Sequence, residues 1–353
     1  MPAARADRFG AAVDDWPSVR LHVVTGKGGT GKTTVAAALA IALAGRGRRV
    51  LLAEVEGRQG LAPLFDVTEL PYAERHLVST RRGGEVMAVS VEPKAALLEY
   101  LEIFYHMGRA GKILEKIGAI DFATTIAPGL RDVLLTGKMY EAARRRVGGK
   151  YVYDCLVLDA PPTGRITRFL NVNEEVVGLA KVGPIRNQAG SIMSLLRSPQ
   201  TAIHLVTVLE EMPLQETADG VADLRRVTLP VGGIVINQVR EPLLSHRALQ
   251  DAVAGSLDRE EVLAGLAAAR LGGPRAGSGT GAAARGAARL QLLADGLIAQ
   301  AAEHGMRVAL EERGRKDLAA LDRPTYELPA IPSGIDLGTL YDLAERLHAQ
   351  GMA

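Results

Sequence analysis

One glycine-rich stretch near the start of the chain constrains its fold more than any other feature. Residues 26–33 read Gly-Lys-Gly-Gly-Thr-Gly-Lys-Thr, which is the G-x-x-x-x-G-K-[ST] pattern of a phosphate-binding loop. An apolar run at 21–24 enters the stretch, and an alanine-rich run at 35–44 leaves it. This order predicts a strand, a loop and a helix, with the loop amides and the positive end of the helix directed at a phosphate group.

The residue types of the loop indicate how a nucleotide would be held. The glycines permit backbone conformations that turn successive N–H groups toward one point. Lys32 is expected to reach the terminal phosphates, and the Thr33 hydroxyl is expected to coordinate Mg²⁺. The alternative is a glycine-rich turn that binds no ligand. It does not explain why a strand, the loop with its Lys-Thr pair and a helix follow one another in this order. The predicted ATP-binding residues of the loop are Gly26, Lys27, Gly28, Gly29, Thr30, Gly31, Lys32, Thr33 and Thr34.

Composition and charge fit a soluble globular protein with a large core. Of the 353 residues 47% are hydrophobic and 23% are charged, and the net charge is +2. Such a small positive excess gives no support for nucleic acid or an anionic membrane as the partner. No apolar run approaches the ~20 residues of a membrane span, and residues 1–16 lack the apolar centre of a signal peptide. We therefore expect a cytoplasmic protein with no integral membrane segment.

The single cysteine, Cys155, excludes an internal disulfide and any metal site that needs several cysteines of one chain. Because it lies in an apolar run, a buried and unreactive thiol is expected. The seven histidines are scattered, and none of them receives a catalytic role.

Four nearly continuous apolar runs predict buried parallel strands, at 50–55, 151–158, 202–208 and 231–237. Helical stretches separate these runs. The expected fold is therefore α/β, a P-loop NTPase with a mostly parallel sheet and helices on both faces. Weaker patterns predict further strands at 85–91 and 179–182 and an edge strand at 306–310.

The expected domain organisation is a flexible N-terminal segment, 1–18, followed by one domain, 19–353. Within that domain, a helical insertion is predicted at about 94–146 and a flexible, glycine-rich loop at about 272–282. A proline-containing turn at 328–334 should lead into the final helix.

Three polar residues stand just beyond predicted strands, where ligands bind in open α/β sheets. Asp159 follows the run 151–158, and beside a phosphate-binding loop it is expected to hold Mg²⁺ through a water molecule. Its alternative role is a helix cap or turn carboxylate. Glu56 follows the run 50–55 and should face the nucleotide. Asn237 offers a donor and an acceptor to an adenine edge, although a turn-stabilising role fits its chemistry equally well.

Lys27 indicates which class of P-loop ATPases the chain resembles. Residues 27–33 resemble the deviant Walker A motif of the MinD/ParA, nitrogenase iron protein and ArsA ATPases. In that class the additional lysine reaches across a dimer interface to the nucleotide of the partner subunit. The resemblance therefore implies that Lys27 acts in trans, and the alternative is a solvated lysine on an exposed loop.

Further motifs resemble one branch of that class, the ArsA-type ATPases of arsenite pumps and of the guided entry of tail-anchored proteins. Residues 159–164 and 168–170 (Asp-Ala-Pro-Pro-Thr-Gly and Arg-Phe-Leu) look like its switch II, and residues 211–217 look like its Glu-Glu-Met-Pro-Val-x-Glu-Thr segment. Residues 236–238 and the loop of Pro332 resemble its adenine-binding elements. The resemblance implies ATP and Mg²⁺ as cofactors, a dimer that changes conformation with the nucleotide, and a protein client.

Switch I departs from the pattern of this branch. Residues 56–59 read Glu-Gly-Arg-Gln where the branch has Asp-Pro-Ala-His, so the carboxylate that positions the attacking water is displaced by one methylene. A displacement of ~1 Å can cost on the order of 10²-fold in rate, and hydrolysis is therefore expected to be slow or to need a partner. The predicted catalytic residues are Lys27, Lys32, Glu56 and Asp159.

Two functions remain open from the sequence. The first is an ATPase that acts as a nucleotide-driven dimeric switch, either as a homodimer or as a heterodimer with a paralogous ATPase. The second is a scaffold subunit of such a heterodimer, which binds ATP and hydrolyses it poorly or not at all. The arsenite-binding cysteines of pump members are missing, so arsenite transport is not expected.

Overall fold

The computed structural model describes residues 14–55, 59–105, 128–179, 184–271 and 282–353. These residues form two compact units, one made by the chain up to Val239 together with Asp317–Ala353, and one made by Arg240–Lys316. The phosphate-binding loop belongs to the first unit. The predicted switch I residue Glu56 lies outside the described residues, as does the predicted loop up to residue 281.

An eight-stranded sheet forms the centre of the first unit. Its strands are β1 (Leu21–Gly26), β2 (Arg49–Val55), β3 (Arg75–Ser79), β4 (Glu85–Val91), β7 (Cys155–Asp159), β8 (Thr201–Thr207), β9 (Val231–Val239) and β10 (Thr325–Pro329), and a separate small hairpin consists of β5 (Arg146–Val147) and β6 (Lys150–Tyr151). The strand order in the sheet is β10-β9-β8-β1-β7-β2-β4-β3. Neighbouring strands are parallel throughout, except that β3 is antiparallel to β4.

Helices cover both faces of this sheet, as the sequence predicts. In the first unit they are α1 (Lys32–Gly45), α2 (Pro93–Tyr105), α3 (Pro128–Arg144), α4 (Thr163–Leu179), α5 (Pro184–Leu196), α6 (Glu211–Arg226) and α10 (Leu337–Ala349), with a short 3₁₀ turn at Ala62–Phe65. Alternate residues of β1 and β2 point to opposite layers: Val24 and Leu52 pack with α1 and α10, whereas Val23 and Leu51 pack with α3–α6. The predicted α/β fold of a P-loop NTPase is confirmed.

Helix α1 is buried along its length, from Val35 to Gly45, because it lies between the sheet and α10. Its alanines allow this close approach on two sides. The predicted insertion at 94–146 contributes α2 and α3, whose Leu97, Leu134 and Met139 belong to the core on the opposite face. Residues 106–127 of that insertion lie outside the described part of the chain.

Several strand predictions need correction. The strand predicted at 151–158 begins only at Cys155, because residues 150–151 pair with 146–147 in the small hairpin. Leu179 ends α4 and is not in a strand, and residues 180–183 are outside the described part. The edge strand predicted at 306–310 is wrong, since these residues lie inside a long helix; β10 occupies the sheet edge instead.

The chain is fixed to the first unit from Asp14 onward. The Asp14 carboxylate accepts hydrogen bonds from Arg46 at 2.6 Å and Arg48 at 2.9 Å. The indole N–H of Trp16 donates to the Tyr326 hydroxyl at 3.0 Å. The last residues of the segment 1–18 are therefore held in place, and residues 1–13 lie outside the described part.

The second unit is helical. It consists of α7 (His246–Val253), α8 (Arg259–Ala268) and most of α9 (Ala282–Ala319). Ser245 caps α7 and Asp258 caps α8 through their side chains. Gly305 of α9 packs against the backbone of α7, where an added Cβ would lie 2.9 Å from the Leu249 carbonyl oxygen. Within the described residues, none of the helices is both long enough and apolar enough to cross a membrane.

Candidate nucleotide-binding site

The phosphate-binding loop connects β1 to α1 at the carboxyl edge of the sheet. Two of its glycines are required by close packing. At Gly26 an added Cβ would lie 2.1 Å from the Val206 carbonyl oxygen, and at Gly31, where φ is +88°, it would lie 2.3 Å from the Asn237 Nδ2. The glycines of the motif therefore bring the loop directly against the ends of β8 and β9.

Internal hydrogen bonds close the loop. The Thr30 hydroxyl donates to the Lys27 carbonyl oxygen at 2.9 Å, and the Lys32 ammonium donates to the same oxygen at 3.4 Å. Thr30 is buried, with 1% of its surface exposed. The Lys32 side chain therefore lies against the loop, beside the place where it is predicted to bind the terminal phosphates.

Thr33 and Asp159 are in direct contact. The Thr33 hydroxyl donates to Asp159 Oδ2 at 2.7 Å. The sheet makes this contact possible, because β7 runs parallel to β1 with Asp159 in register with Val24. A hydroxyl and a carboxylate oxygen at this distance form a hard-oxygen donor set of the kind that Mg²⁺ prefers. The two residues predicted to serve the metal therefore fit it.

Asn237 fixes the phosphate-binding loop from β9, which is separated from β1 by β8 in the sheet. It ends the apolar part of β9, is 6% exposed, and donates from Nδ2 to the Thr30 carbonyl oxygen at 2.8 Å. This contact corresponds to the stabilising role among its two predicted roles, and an additional contact with adenine stays a prediction. Pro332 is exposed in the turn between β10 and α10, beyond the carboxyl end of the strand that pairs with β9.

Lys27, which resembles the additional lysine of the deviant Walker A motif, forms an ion pair with a carboxylate of its own chain. Its ammonium lies 2.8 Å from Glu216 Oε1 on α6, and the two side chains are 29% and 37% exposed. The other oxygen of Glu216 accepts a hydrogen bond from the Thr163 hydroxyl at 3.2 Å. Lys27 is therefore partly exposed at the site and is linked to the first residue of α4.

Glu54 is a second buried carboxylate that sequence reasoning missed. It is in register with Asp159 across β2 and β7, and it is 2% exposed. Its Oε1 accepts the Gly60 backbone N–H at 2.6 Å, and an added Cβ at Gly60 would lie 3.7 Å from Thr33 Oγ1. The available signal was a glutamate near the carboxyl end of an otherwise apolar strand.

Hydrogen bonds at Gln59 and Gly60 hold the end of switch I in place. Gln59 adopts a positive φ of 52°, and its side-chain amide exchanges two hydrogen bonds with the backbone of Leu70, at 3.1 and 2.8 Å. Together with the bond from Gly60 to Glu54, this anchors the end of the segment that contains Glu56. Glu56 itself lies outside the described residues.

The single cysteine, Cys155, is buried and unreactive. Burial raises the pKa of the Cys155 thiol to about 12, which agrees with the expected unreactive cysteine. Within the described ranges, no three His, Cys, Asp or Glu side chains form a group that could hold a metal ion. Any metal at this site would consequently depend on a few protein oxygens together with the phosphates and water.

Comparison with known proteins identifies the family. The family model for the anion-transporting ATPases matches residues 19–199, which span the phosphate-binding loop, β2, Asp159 and Thr163. The chain belongs to this ATPase family. The ArsA-type resemblance inferred from the motifs is confirmed, and the chain is a member of a family of ATP-binding ATPases.

Mycobacterial relatives of this ATPase match nearly the whole chain. The ATPase BagA of Mycobacterium tuberculosis is 48% identical over 342 residues, which cover 96% of each protein. The arsenical pump-driving ATPase of Escherichia coli is 27% identical over 243 residues, covering 65% of this chain and 38% of that protein. The likeness to BagA therefore includes the second unit, which lies beyond the region matched by the family model.

Proposed function

We propose that this ATPase is a Mg²⁺-dependent, nucleotide-driven switch that works as a dimer. The observation that carries the proposal is the contact between Thr33 and Asp159 beside a closed phosphate-binding loop. The loop ends at the positive terminus of α1, which favours a polyphosphate. Lys27 lies at the same site and remains partly exposed to solvent.

Different residues of the site bind the phosphates and the metal. The loop amides and the Lys32 ammonium hold the phosphates, and Thr33 holds Mg²⁺ directly while Asp159 holds it through water. When bound, the cation neutralises the charge that develops on the transferred phosphoryl group. Glu56 orients the attacking water. Its carboxylate is one methylene further from the backbone than the aspartate of the branch, so turnover is slow or depends on a partner.

The proposed dimer rests on the resemblance of Lys27 to the additional lysine of the deviant Walker A motif, which acts across a dimer interface. In the proposed closed state, Lys27 of each subunit neutralises charge on the nucleotide of the other subunit. The partner is a second copy of this chain or a paralogous ATPase. Closure changes the position of α2 and α3 in the predicted insertion, and this movement exposes or covers a binding site for a protein client.

A scaffold role is the second candidate, and the sequence Glu-Gly-Arg-Gln at 56–59 favours it. In that case the chain binds ATP to organise a heterodimer and leaves hydrolysis to the paralogue. The Escherichia coli relative is an arsenical pump-driving ATPase. Arsenical transport is not proposed for this chain, because its single cysteine has a pKa raised to about 12 and supplies no group of thiolates.

Steady-state ATP hydrolysis and sedimentation with ATP and Mg²⁺ test the proposal. If the switch is a homodimer, it predicts slow but measurable turnover and dimerisation for the wild type. Lys32→Ala loses both, and Lys27→Ala keeps a low but measurable turnover while it still binds ATP. Lys150→Ala, on the exposed small hairpin before β7, is the matched control and retains both activities. Tight ATP binding without turnover supports the scaffold, and the absence of nucleotide binding contradicts both functions.

A further inference from the structure

We infer that Glu216 is a positioning residue for Lys27 and couples it to the start of α4. This inference rests on the proposed function, because it concerns how the lysine of the phosphate-binding loop is held for catalysis. Glu216 lies in the segment 211–217 that resembles a sequence of the branch, but that resemblance attaches no role to its carboxylate.

One carboxylate bridges two segments of the site. Glu216 Oε1 lies 2.8 Å from the Lys27 ammonium, and Oε2 accepts the Thr163 hydroxyl at 3.2 Å. Lys27 belongs to the loop between β1 and α1. Thr163 begins α4, four residues after Asp159. A change in the position of either segment is therefore transmitted to the other through the side chain of Glu216.

Packing of α6 fixes the place of this carboxylate. Thr217, Val221 and Leu224 are buried on one side of the helix. Gly220 brings the helix close to its neighbours, since an added Cβ there would lie 3.0 Å from Leu205 and 3.4 Å from the Thr163 side chain. Glu216 projects from the same helix toward the loop and is only partly exposed.

The energetics favour a positioning role over a stabilising one. Ion pairs between partly exposed side chains contribute little to the free energy of folding. Lysine, however, has a long and flexible stem, and its ammonium occupies one position only if a partner restrains it. A carboxylate that contacts both Lys27 and Thr163 supplies that restraint. An incidental surface ion pair has no reason to include the second contact.

Kinetic analysis of Glu216→Gln tests the inference, with Asp219→Asn as the matched control. Asp219 is an exposed carboxylate one turn further along α6, and it contacts Gln215. Glu216→Gln is expected to lower kcat by about tenfold with the dissociation constant for ATP unchanged, because a misplaced catalytic group costs rate. Glu216→Asp is expected to recover part of the loss. Asp219→Asn should retain the wild-type kcat.

The decisive comparison is made in a Lys27→Ala background. If Glu216 acts through Lys27, adding Glu216→Gln to Lys27→Ala produces no further loss of kcat. An equal loss in both backgrounds, or a wild-type kcat for Glu216→Gln, overturns the inference.

Chemical labelling keeps the inference separate from the proposed function. In the nucleotide-free full-length protein, an amine-reactive reagent should modify Lys27 several-fold faster in Glu216→Gln than in the wild type or in Asp219→Asn. Lys150 serves as the internal reference. If the wild type does not hydrolyse ATP but this difference is observed, the proposed function fails while the contact stands. Equal labelling of Lys27 in all three proteins overturns the inference whatever the ATPase result.

Discussion

The Thr33 hydroxyl donates a 2.7 Å hydrogen bond to Asp159 Oδ2, although 126 residues separate them in the chain. Thr33 is in the first turn of α1, and Asp159 is the last residue of β7. The adjacent parallel strands β1 and β7 bring the two together at the carboxyl edge of the sheet. A cation held here would take the place of this hydrogen bond, with the Thr33 hydroxyl binding it directly and Asp159 holding it through a water molecule.

Two substitutions at Thr33 distinguish the contribution of its hydroxyl to the ATPase rate from that of its shape. Thr33→Ser keeps the hydroxyl and should retain most of the ATPase rate, whereas Thr33→Val keeps the shape and should lose on the order of 10²-fold. The rate is to be measured across a titration of Mg²⁺ at saturating ATP. Similar rates for the serine and valine variants would contradict a metal-binding role for this residue.

Glu54→Gln tests the buried carboxylate beside Asp159. Glutamine still offers an acceptor to the Gly60 N–H but removes a negative charge from the site. The Mg²⁺ concentration for half-maximal turnover is expected to rise by about tenfold, as for groups that orient the ligands of a metal. Nucleotide affinity without Mg²⁺ should not change. If the Mg²⁺ dependence stays at the wild-type value, Glu54 serves only to anchor the loop at Gly60.

Gly31→Ala should damage the loop while Gly28→Ala should leave the fold intact. At Gly31 a methyl group would lie 2.3 Å from the Asn237 Nδ2 and φ is +88°, but nothing lies within 4 Å of a Cβ at Gly28. We expect Gly31→Ala to lower the free energy of unfolding by about 1–3 kcal/mol. Denaturant unfolding of the two variants measures the difference. Equal stabilities would indicate that Asn237 is free to move away.

Two stacked histidines predict a loss of stability in acid. His204 Nδ1 accepts the Gly233 N–H at 3.0 Å, so its Nε2 carries the proton that is shared with His22 Nδ1 at 3.1 Å. Burial lowers the pKa of His22 to about 3 and that of His204 well below its usual value. Both rings therefore remain neutral in the folded protein when the unfolded chain takes up protons.

Because the two histidines have lower pKa values in the folded protein than in the unfolded chain, the protein becomes less stable as the pH falls. Above the unfolded pKa of about 6.5 the histidines contribute no pH dependence, and below it the unfolded state binds more protons, so stability falls until the pH reaches the folded pKa. From pH 6.5 to pH 5, His22 alone should cost about 2 kcal/mol. His22→Asn retains an acceptor for His204 and removes this titration. Its unfolding free energy should depend less on pH, and a slope equal to that of the wild type would refute the assignment.

The sequence predicted the sheet well where the strands are buried on both faces. The apolar runs at 50–55, 202–208 and 231–237 lie within a residue or two of β2, β8 and β9, since such runs have little alternative to a central strand. The apolar residues at 306–310 favour a strand when only the sequence is considered. They form part of α9, where Met306 and Leu310 are exposed. A short apolar run does not by itself distinguish a strand from a helix.

The site was predictable where a motif specifies the chemistry. Thr33 and Asp159 were both assigned to Mg²⁺ from the sequence, and the structure places them in contact. The carboxylates of Glu54 and Glu216 were not found as site residues. Their relevance depends on strand register and on the packing of α6, which bring together segments that are far apart in the chain. The sequence does place Glu216 in the segment 211–217 that resembles a motif of the branch, and Glu54 near the end of an apolar run, but it does not show which groups they contact.

Calorimetric titration of the protein with ATP, with and without Mg²⁺, tests most directly whether residues 26–34 bind a polyphosphate together with a metal held by Thr33 and Asp159. Wild type and Lys150→Ala should bind one nucleotide per chain more tightly with Mg²⁺ than without it. Lys32→Ala should lose most of the affinity, and Asp159→Asn should lose the enhancement by Mg²⁺. Binding that is absent in the wild type, or that is equal in the wild type, Lys32→Ala and Asp159→Asn, would contradict the assignment of this site.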